Sequence, residues 1–299
     1  MRNLTMMTDL YQLTMMYGYF KHSMAGNEGV FDVFFRPRSN ITYAIAAGLQ
    51  SVIDYINNLH FSEEDLAYLR SLKLFDEAFL AYLGKLHFTG EIYAMREGTV
   101  VFPYEPLVRV RAPIMQAQLI ETALLTFVNH QTLIATKASR VCYAAEGGAV
   151  LEFGLRRAQG ADAGIYGARA AVIGGCSATS NVLTGEMFGI AVSGTHAHSW
   201  VMSFPDELSA FRAYAETFPT ACLLLVDTYD TLRSGVPNAI TVFRELRAKG
   251  HEPLGIRLDS GDLAYLSKCA RRMLDEAGFP DAKICASSDL DENVIRDLK

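Results

Sequence analysis

Two histidines one residue apart, His196 and His198, lie in the stretch Gly194-Thr195-His196-Ala197-His198. At a strand end such a pair could ligate a metal, but a metal site needs further ligands from neighbouring strand ends. The only other histidine in the second half is His251, which precedes an apolar run instead of following one. The other run exits carry Arg156, Arg157 and Arg257, which would repel a cation. Arginines, Ser/Thr hydroxyls and glycine-bearing turns before helices are instead binders of phosphate and carboxylate. Asp227, Asp259 and Asp262 could hold sugar hydroxyls, orient a histidine, or touch a phosphate-bound Mg²⁺. Plainer roles stand beside these: His196 as a packing or capping residue, Asp262 as a helix cap, Arg157 as a surface charge.

These residues need a scaffold, and the second half supplies a regular one. Apolar runs recur at Ala149–Phe153, Ala171–Gly175, Phe188–Val192, Ala221–Val226, Pro253–Ile256 and Ala282–Ala286. Helical patterns separate most of them, at Asp206–Thr217, Asn238–Lys249 and Asp262–Ala277. Continuously apolar strands alternating with helices predict a parallel sheet covered on both faces. Each run exits into polar or glycine-rich sequence, which is where chemistry collects in parallel barrels. Six strands are predicted where a closed barrel has about eight. A partial α/β barrel over 141–299 is therefore expected.

The first half reads as an α+β domain over 1–140. Helices are predicted at Thr8–Phe20, with Thr8 as a possible N-cap, at Tyr43–Leu59, and at Ser62–Leu86, which opens with the capping-box spacing Ser62-x-x-Asp65. Strands are predicted at Val30–Phe35, Ile92–Met95 and Val108–Val110. A long apolar helix spans Gln116–Ala138, with Lys137 and Arg140 at its C-terminal end, where cations suit the helix dipole.

Composition bounds the functions. Of 299 residues, 50% are apolar and 20% charged, enough for a sizeable core. A net charge of -6 offers no basic surface for nucleic acid or an acidic membrane. No apolar run approaches the roughly 18 residues of a membrane helix, and the first residues lack a signal peptide's apolar stretch. Five cysteines, at 142, 176, 222, 269 and 285, make no C-x-x-C pair; they suit reduced core thiols and a cytoplasmic location.

Nearly the whole chain resembles the nicotinate phosphoribosyltransferase family. The resemblance rests on Thr8-Asp9-Leu10-Tyr11-Gln12-Leu13-Thr14-Met15, on Glu105 to Val110, and on the helix from Glu121-Thr122 through Ala138. It continues through Phe153-Gly154-Leu155-Arg156-Arg157, Ala178-Thr179-Ser180-Asn181-Val182-Leu183, Gly194 to Trp200, Val226 to Thr231, and Arg257-Leu258-Asp259-Ser260-Gly261-Asp262-Leu263. It implies an irregular parallel barrel of the type II phosphoribosyltransferase kind. It also implies a reaction in NAD biosynthesis: nicotinate displaces pyrophosphate from phosphoribosyl pyrophosphate to give nicotinate mononucleotide. The family couples this glycosyl transfer to ATP hydrolysis through a phosphorylated histidine, and is accordingly classed among ligases.

The resemblance also implies roles. His198 matches the phosphoryl acceptor and Asp227 its orienting partner. Phe153 matches an aromatic on one face of the pyridine ring. Tyr11 matches the opposite face and, with Asp9 beside it, would come from a second subunit of a homodimer. Arg156 matches a group near the ring and its carboxylate, with Thr179, Ser180 and Thr195 as further substrate-binding residues. Arg257 and Asp259 match contacts to ribose and phosphates, and Arg36 a phosphate ligand reaching across from the partner. Mg²⁺ would accompany the phosphates. Nicotinamide-using relatives carry an acidic residue where Ser180 stands, so a serine favours a carboxylate substrate. Family members are considerably longer, so the resemblance implies that the last barrel strands and a glycine-rich 5′-phosphate loop are to be expected beyond this sequence. The alternatives are a nicotinamide phosphoribosyltransferase, a metal-dependent barrel hydrolase using His196 and His198, and an inactive truncated form.

Overall fold

The computed structural model describes residues 3–37 and 41–299. The chain forms two compact units, one of residues up to Tyr143 with Gly147–Val192, the other of Ala144–Glu146 with Ser193–Lys299. It is an α/β protein, and no helix among the described residues is long and apolar enough to cross a membrane.

In the first unit the order is α1 (Leu10–Lys21), β1 (Glu28–Val33), β2 (Ala44–Ile45), α2 (Leu49–Asn57), α3 (Glu63–Ser71), α4 (Glu77–Leu83), β3 (Glu91–Ala94), β4 (Val100–Val101), β5 (Val108–Pro113) and α5 (Ile114–Ala144). After these come β6 (Leu151–Glu152), α6 (Ala161–Ile173), β7 (Ala178–Thr179) and α7 (Val182–Phe188). Strand β5 lies between β1 and β3 in an antiparallel sheet. It alternates buried Val108, Val110 and Ala112 with exposed Arg109 and Arg111, the period-two signature of a sheet with one wet face. Arg109 forms a two-pronged ion pair with Asp32 on β1 at 2.7 and 2.8 Å. The buried face packs on Met115, Leu119, Ile120 and Leu124 of α5.

Several expectations are corrected here. Asp9, and not Thr8, is the residue at the N-cap of α1; the Thr8 hydroxyl instead donates to the Leu119 carbonyl at 3.2 Å. The helix expected over Tyr43–Leu59 breaks into β2 and α2, because Ala44–Ile45 pairs with Val100–Val101 and Thr136 and Thr132 hydroxyls accept the Ile45 and Ala47 N–H groups. Gly48 makes the turn at φ 100, with its Cα facing the Phe127 carbonyl too closely for any Cβ. The Ser62 capping box forms as expected, but the segment to Leu86 is two helices, interrupted at Lys73 with φ 56. Helix α5 runs on to Ala144, so Lys137 and Arg140 are not in its last turn. Ala171–Gly175 is not a strand: α6 runs to Ile173, and the strand follows at Ala178–Thr179. Of Phe188–Val192, Phe188 ends α7 and Val192 makes one parallel bridge to Thr179.

The second unit runs α8 (His198–Met202), α9 (Glu207–Thr217), β8 (Leu223–Leu225), α10 (Val236–Ala248), β9 (Gly255–Leu258), α11 (Leu263–Glu276), β10 (Lys283–Ala286) and α12 (Glu292–Leu298). Strands β8, β9 and β10 pair in parallel with β9 central, as continuous apolar runs require. Leu224, Val226, Ile256 and Leu258 pack on Phe211, Phe243, Leu274 and Phe279 of the covering helices and their ends. Each buried phenyl ring contributes roughly 2–3 kcal/mol of transfer free energy. Glycine is obligatory at two close approaches. A Cβ on Gly255 would lie 1.9 Å from the Lys283 carbonyl oxygen, and one on Gly235 would lie 1.8 Å from that of Val226.

Candidate active site

In the second unit the exits of β8 and β9 meet the segment before α8. Asp227 follows β8 and is all but buried, its side chain 1% exposed. Its Oδ2 accepts the Asp259 N–H at 2.8 Å and the Ser260 hydroxyl at 2.6 Å. Its Oδ1 lies 3.2 Å from His198 Nε2. A carboxylate oxygen only accepts, so the His198 proton sits on Nε2 and the Nδ1 lone pair is left available. The His198 side chain is 39% exposed, open enough for a reagent to reach it.

Arg257 lies on β9, half-buried, and reaches four partners. Nε donates to Ser287 Oγ at 2.9 Å, Nη1 to Thr195 Oγ1 at 3.0 Å and to the His196 carbonyl at 3.4 Å, and Nη2 to Asp259 Oδ1 at 2.9 Å. Ser287 also bonds Asp259 directly. Burial alone would raise the Asp259 carboxyl, but hydrogen bonds from Ser287 and Arg257 outweigh it and hold the group below the ordinary carboxylate value. His198, Asp227, Arg257, Asp259 and Thr195 are thus brought into one connected network. Ser260 and Ser287 join it although the sequence reading did not single them out; serines in a strand-to-helix turn look like ordinary caps. The Thr228 hydroxyl, next along from Asp227, is buried without a hydrogen-bond partner.

His196 turns the other way. It is 7% exposed, its ring edge-on to Tyr214 at 4.6 Å between centroids, and its Nε2 accepts the Leu225 N–H at 3.2 Å. Burial lowers its pKa to about 4, so the ring is neutral and structural. With one nitrogen committed to the backbone, His196 does not converge with His198 on an ion. Among the described residues no three His, Cys, Asp or Glu side chains come together as a metal-holding group. Asp262 caps α11 by accepting the Tyr265 N–H at 2.9 Å.

The remaining expected residues lie in the first unit. Phe153 follows β6 and is half-buried; Arg156 is exposed on the single 3-10 turn Leu155–Arg157. Ser180 follows β7 and is half-buried, its N–H donating to the Glu152 carbonyl at 3.0 Å. Thr179 is fully buried and gives its hydroxyl proton to Glu152 Oε2 at 2.6 Å. Parallel pairing of Glu152 with Thr179 therefore brings Phe153 and Ser180 to adjacent strand ends. Tyr11 is 50% exposed on α1, Asp9 accepts the Thr122 hydroxyl at 2.9 Å, and the Arg36 guanidinium sits 6.0 Å from the Phe34 ring centre. A cleft of about 900 Å³ also opens in this unit; Glu152 and Gly154 line it, whereas Phe153 and Ser180 do not.

Comparison with known proteins decides the family. The family described as nicotinate phosphoribosyltransferase (NAPRTase) N-terminal domain matches residues 6–129. The solved structure of human nicotinic acid phosphoribosyltransferase superimposes with a TM-score of 0.90 at 33% identity, covering 97% of this chain and 70% of that one. The chain belongs to the nicotinate phosphoribosyltransferase family. The nicotinate phosphoribosyltransferase of Bacillus subtilis is 54% identical over 299 residues, 99% of this chain and 60% of its own length. A second family member, nicotinate phosphoribosyltransferase pncB2 of Mycobacterium tuberculosis, is 46% identical over 97% of this chain and 62% of its own. The chain thus spans about three-fifths of the length of these two family relatives.

Proposed function

We propose that the chain carries the catalytic residues of a nicotinate phosphoribosyltransferase, joining nicotinate to phosphoribosyl pyrophosphate with release of pyrophosphate and coupling the step to ATP. The observation that carries this is the His198–Asp227 pair inside a network of Arg257, Asp259 and serine hydroxyls, in a chain of this family.

In the coupling step the His198 Nδ1 lone pair attacks the terminal phosphorus of ATP. A P–N bond forms, the P–O bond to ADP breaks, and the Nε2 proton stays on the Asp227 side, where the carboxylate stabilises the resulting imidazolium. In the glycosyl transfer the pyridine nitrogen needs no general base, because its lone pair is already free. The transition state is cation-like at the anomeric carbon, and the leaving pyrophosphate is strongly anionic. Catalysis is then mainly positioning and electrostatics. Arg257 and the Thr195 hydroxyl are the groups to face phosphate oxygens, and Asp259 to hold ribose hydroxyls. Mg²⁺ would arrive on the phosphates and neutralise part of their charge; the part-exposed Asp259, and not the buried Asp227, is the carboxylate open to it. At the pyridine end Phe153 is the stacking ring and Arg156 and Ser180 serve the carboxylate side, whereas Thr179, expected to bind substrate, is buried with its hydroxyl committed to Glu152 and Asn181 and acts only through them. Tyr11, Asp9 and Arg36 are proposed to act across a homodimer. On this proposal residues 141–299 form part of an irregular type II barrel in a cytoplasmic enzyme. Serine at 180 favours nicotinate over nicotinamide, since a hydroxyl donates to a carboxylate that an aspartate would repel.

The test is incubation with γ-labelled ATP, comparing the wild type with His198→Ala. Acid-labile label on the wild type and none on the variant is the expected result. Label that persists in His198→Ala removes that residue as acceptor. Steady turnover of nicotinamide in preference to nicotinate would overturn the substrate reading.

A further inference from the structure

We infer that Glu152 is a positioning residue for the pyridine end of the site, fixing the strand ends that present Phe153 and Ser180; this rests on the function proposed above. Strands β6 and β7 pair over only two positions, Leu151 with Ala178 and Glu152 with Thr179. So short a parallel ladder contributes few main-chain hydrogen bonds to hold its own exits. Glu152 supplies the missing constraints from one residue. Its backbone carbonyl accepts the Ser180 N–H at 3.0 Å. Its Oε1 accepts the Gly154 N–H, immediately after Phe153. Its Oε2 accepts the Thr179 hydroxyl at 2.6 Å. Thr179 Oγ1 in turn accepts the Asn181 N–H at 3.0 Å, and Asn181 caps α7 through the Thr184 N–H at 3.2 Å. One carboxylate therefore clamps residues on both sides of Phe153 and, through Thr179, both sides of Ser180. The clamp depends on the glycine at 154: a Cβ there would lie 2.8 Å from Glu152 Oε1 and push the carboxylate away.

The role is one of geometry, and this separates three substitutions. In Glu152→Gln the amide oxygen can still take the Gly154 N–H while its NH₂ donates to Thr179 Oγ1, so both links survive. Glu152→Ala removes both, and Gly154→Ala displaces the carboxylate without deleting it. Nicotinate and phosphoribosyl pyrophosphate affinities are measured separately for each variant, alongside amide hydrogen exchange at Gly154 and Ser180. Glu152→Ala and Gly154→Ala are expected to weaken nicotinate about tenfold or more, to leave phosphoribosyl pyrophosphate within about twofold, and to speed exchange at both amides. Glu152→Gln is expected to recover most of the nicotinate affinity. Equal weakening toward both substrates, a Gln variant as poor as Ala, or unchanged exchange in Glu152→Ala would overturn the inference while leaving the nicotinate reading intact. A wild-type chain that binds phosphoribosyl pyrophosphate but no nicotinate would overturn both.

Discussion

Replacing Asp227 by asparagine tests the histidine chemistry without removing a side chain. Asp227 Oδ2 faces the Asp259 N–H, a backbone donor that cannot reverse its role. The asparagine must therefore keep its oxygen on that side and turn its NH₂ toward His198 Nε2. The imidazole then has to accept at Nε2, which moves its proton to Nδ1 and removes the lone pair that the proposed phosphoryl transfer needs. The charge is lost as well. At the observed 3.2 Å separation, one unit of charge is worth roughly 1 kcal/mol in bulk water and roughly 5 kcal/mol at an effective dielectric near 20. A 1%-exposed carboxylate beside a 39%-exposed ring lies between these limits. Wrong tautomer and lost charge together predict a fall on the order of 10³-fold in the rate of labelling from γ-labelled ATP. Stability should change little, by about 1 kcal/mol, because shape and the bonds from Asp259 and Ser260 are kept. Rapid-quench labelling with urea unfolding as control reads both quantities. Labelling within tenfold of wild type in a normally folded Asp227→Asn chain would refute the tautomer argument.

Three further outcomes are expected. The folded chain keeps His196 neutral down to about pH 4, whereas the unfolded chain takes up that proton near 6.5, so the unfolded state binds more protons in this window. Stability therefore falls as pH falls from 6.5 toward 4, by roughly 3 kcal/mol from this residue, and urea unfolding of His196→Gln should show the shallower dependence; an unchanged slope would remove burial of His196 as its cause. Ser180→Asp should raise the nicotinate KM about tenfold, on a Coulomb cost of about 1 kcal/mol or more, with little change toward phosphoribosyl pyrophosphate; equal loss for both substrates counts against the assignment. Gly235→Ala should cost on the order of 3 kcal/mol, since its Cβ meets the Val226 backbone oxygen at 1.8 Å, and a thermal midpoint within 1–2 °C of wild type would show that the turn yields.

What the sequence discloses depends on how far apart the interacting residues lie. The Ser62–Asp65 capping box is legible because donor and acceptor are three residues apart. The strand Ala44–Ile45 is not, because its partner is Val100–Val101, and the N–H groups of Ile45 and of Ala47 just beyond the strand are met by Thr136 and Thr132. Ala171–Gly175 reads as a strand on composition alone, yet it closes a helix whose small residues let Gly174 press against the Ala135 carbonyl. Glu152 looks like one acid in an apolar run; its Thr179 partner is 27 residues away.

The histidine motif shows the same limit at the scale of two residues. An H-x-H pair points both rings to one side only where the backbone is extended through both, since a strand repeats every second residue. Here the helical turn of α8 begins at His198 itself, with Ala197 as its N-cap. The extended period breaks between the two histidines. His196 is left facing Phe211 and Tyr214 in the core, and His198 is rotated onto Asp227. Spacing alone allowed a shared metal ion; the helix start divides the pair into a packing residue and a part-exposed histidine held by Asp227, and the arginine and serines linked to Asp227 are what suit that second histidine to the proposed phosphoryl chemistry.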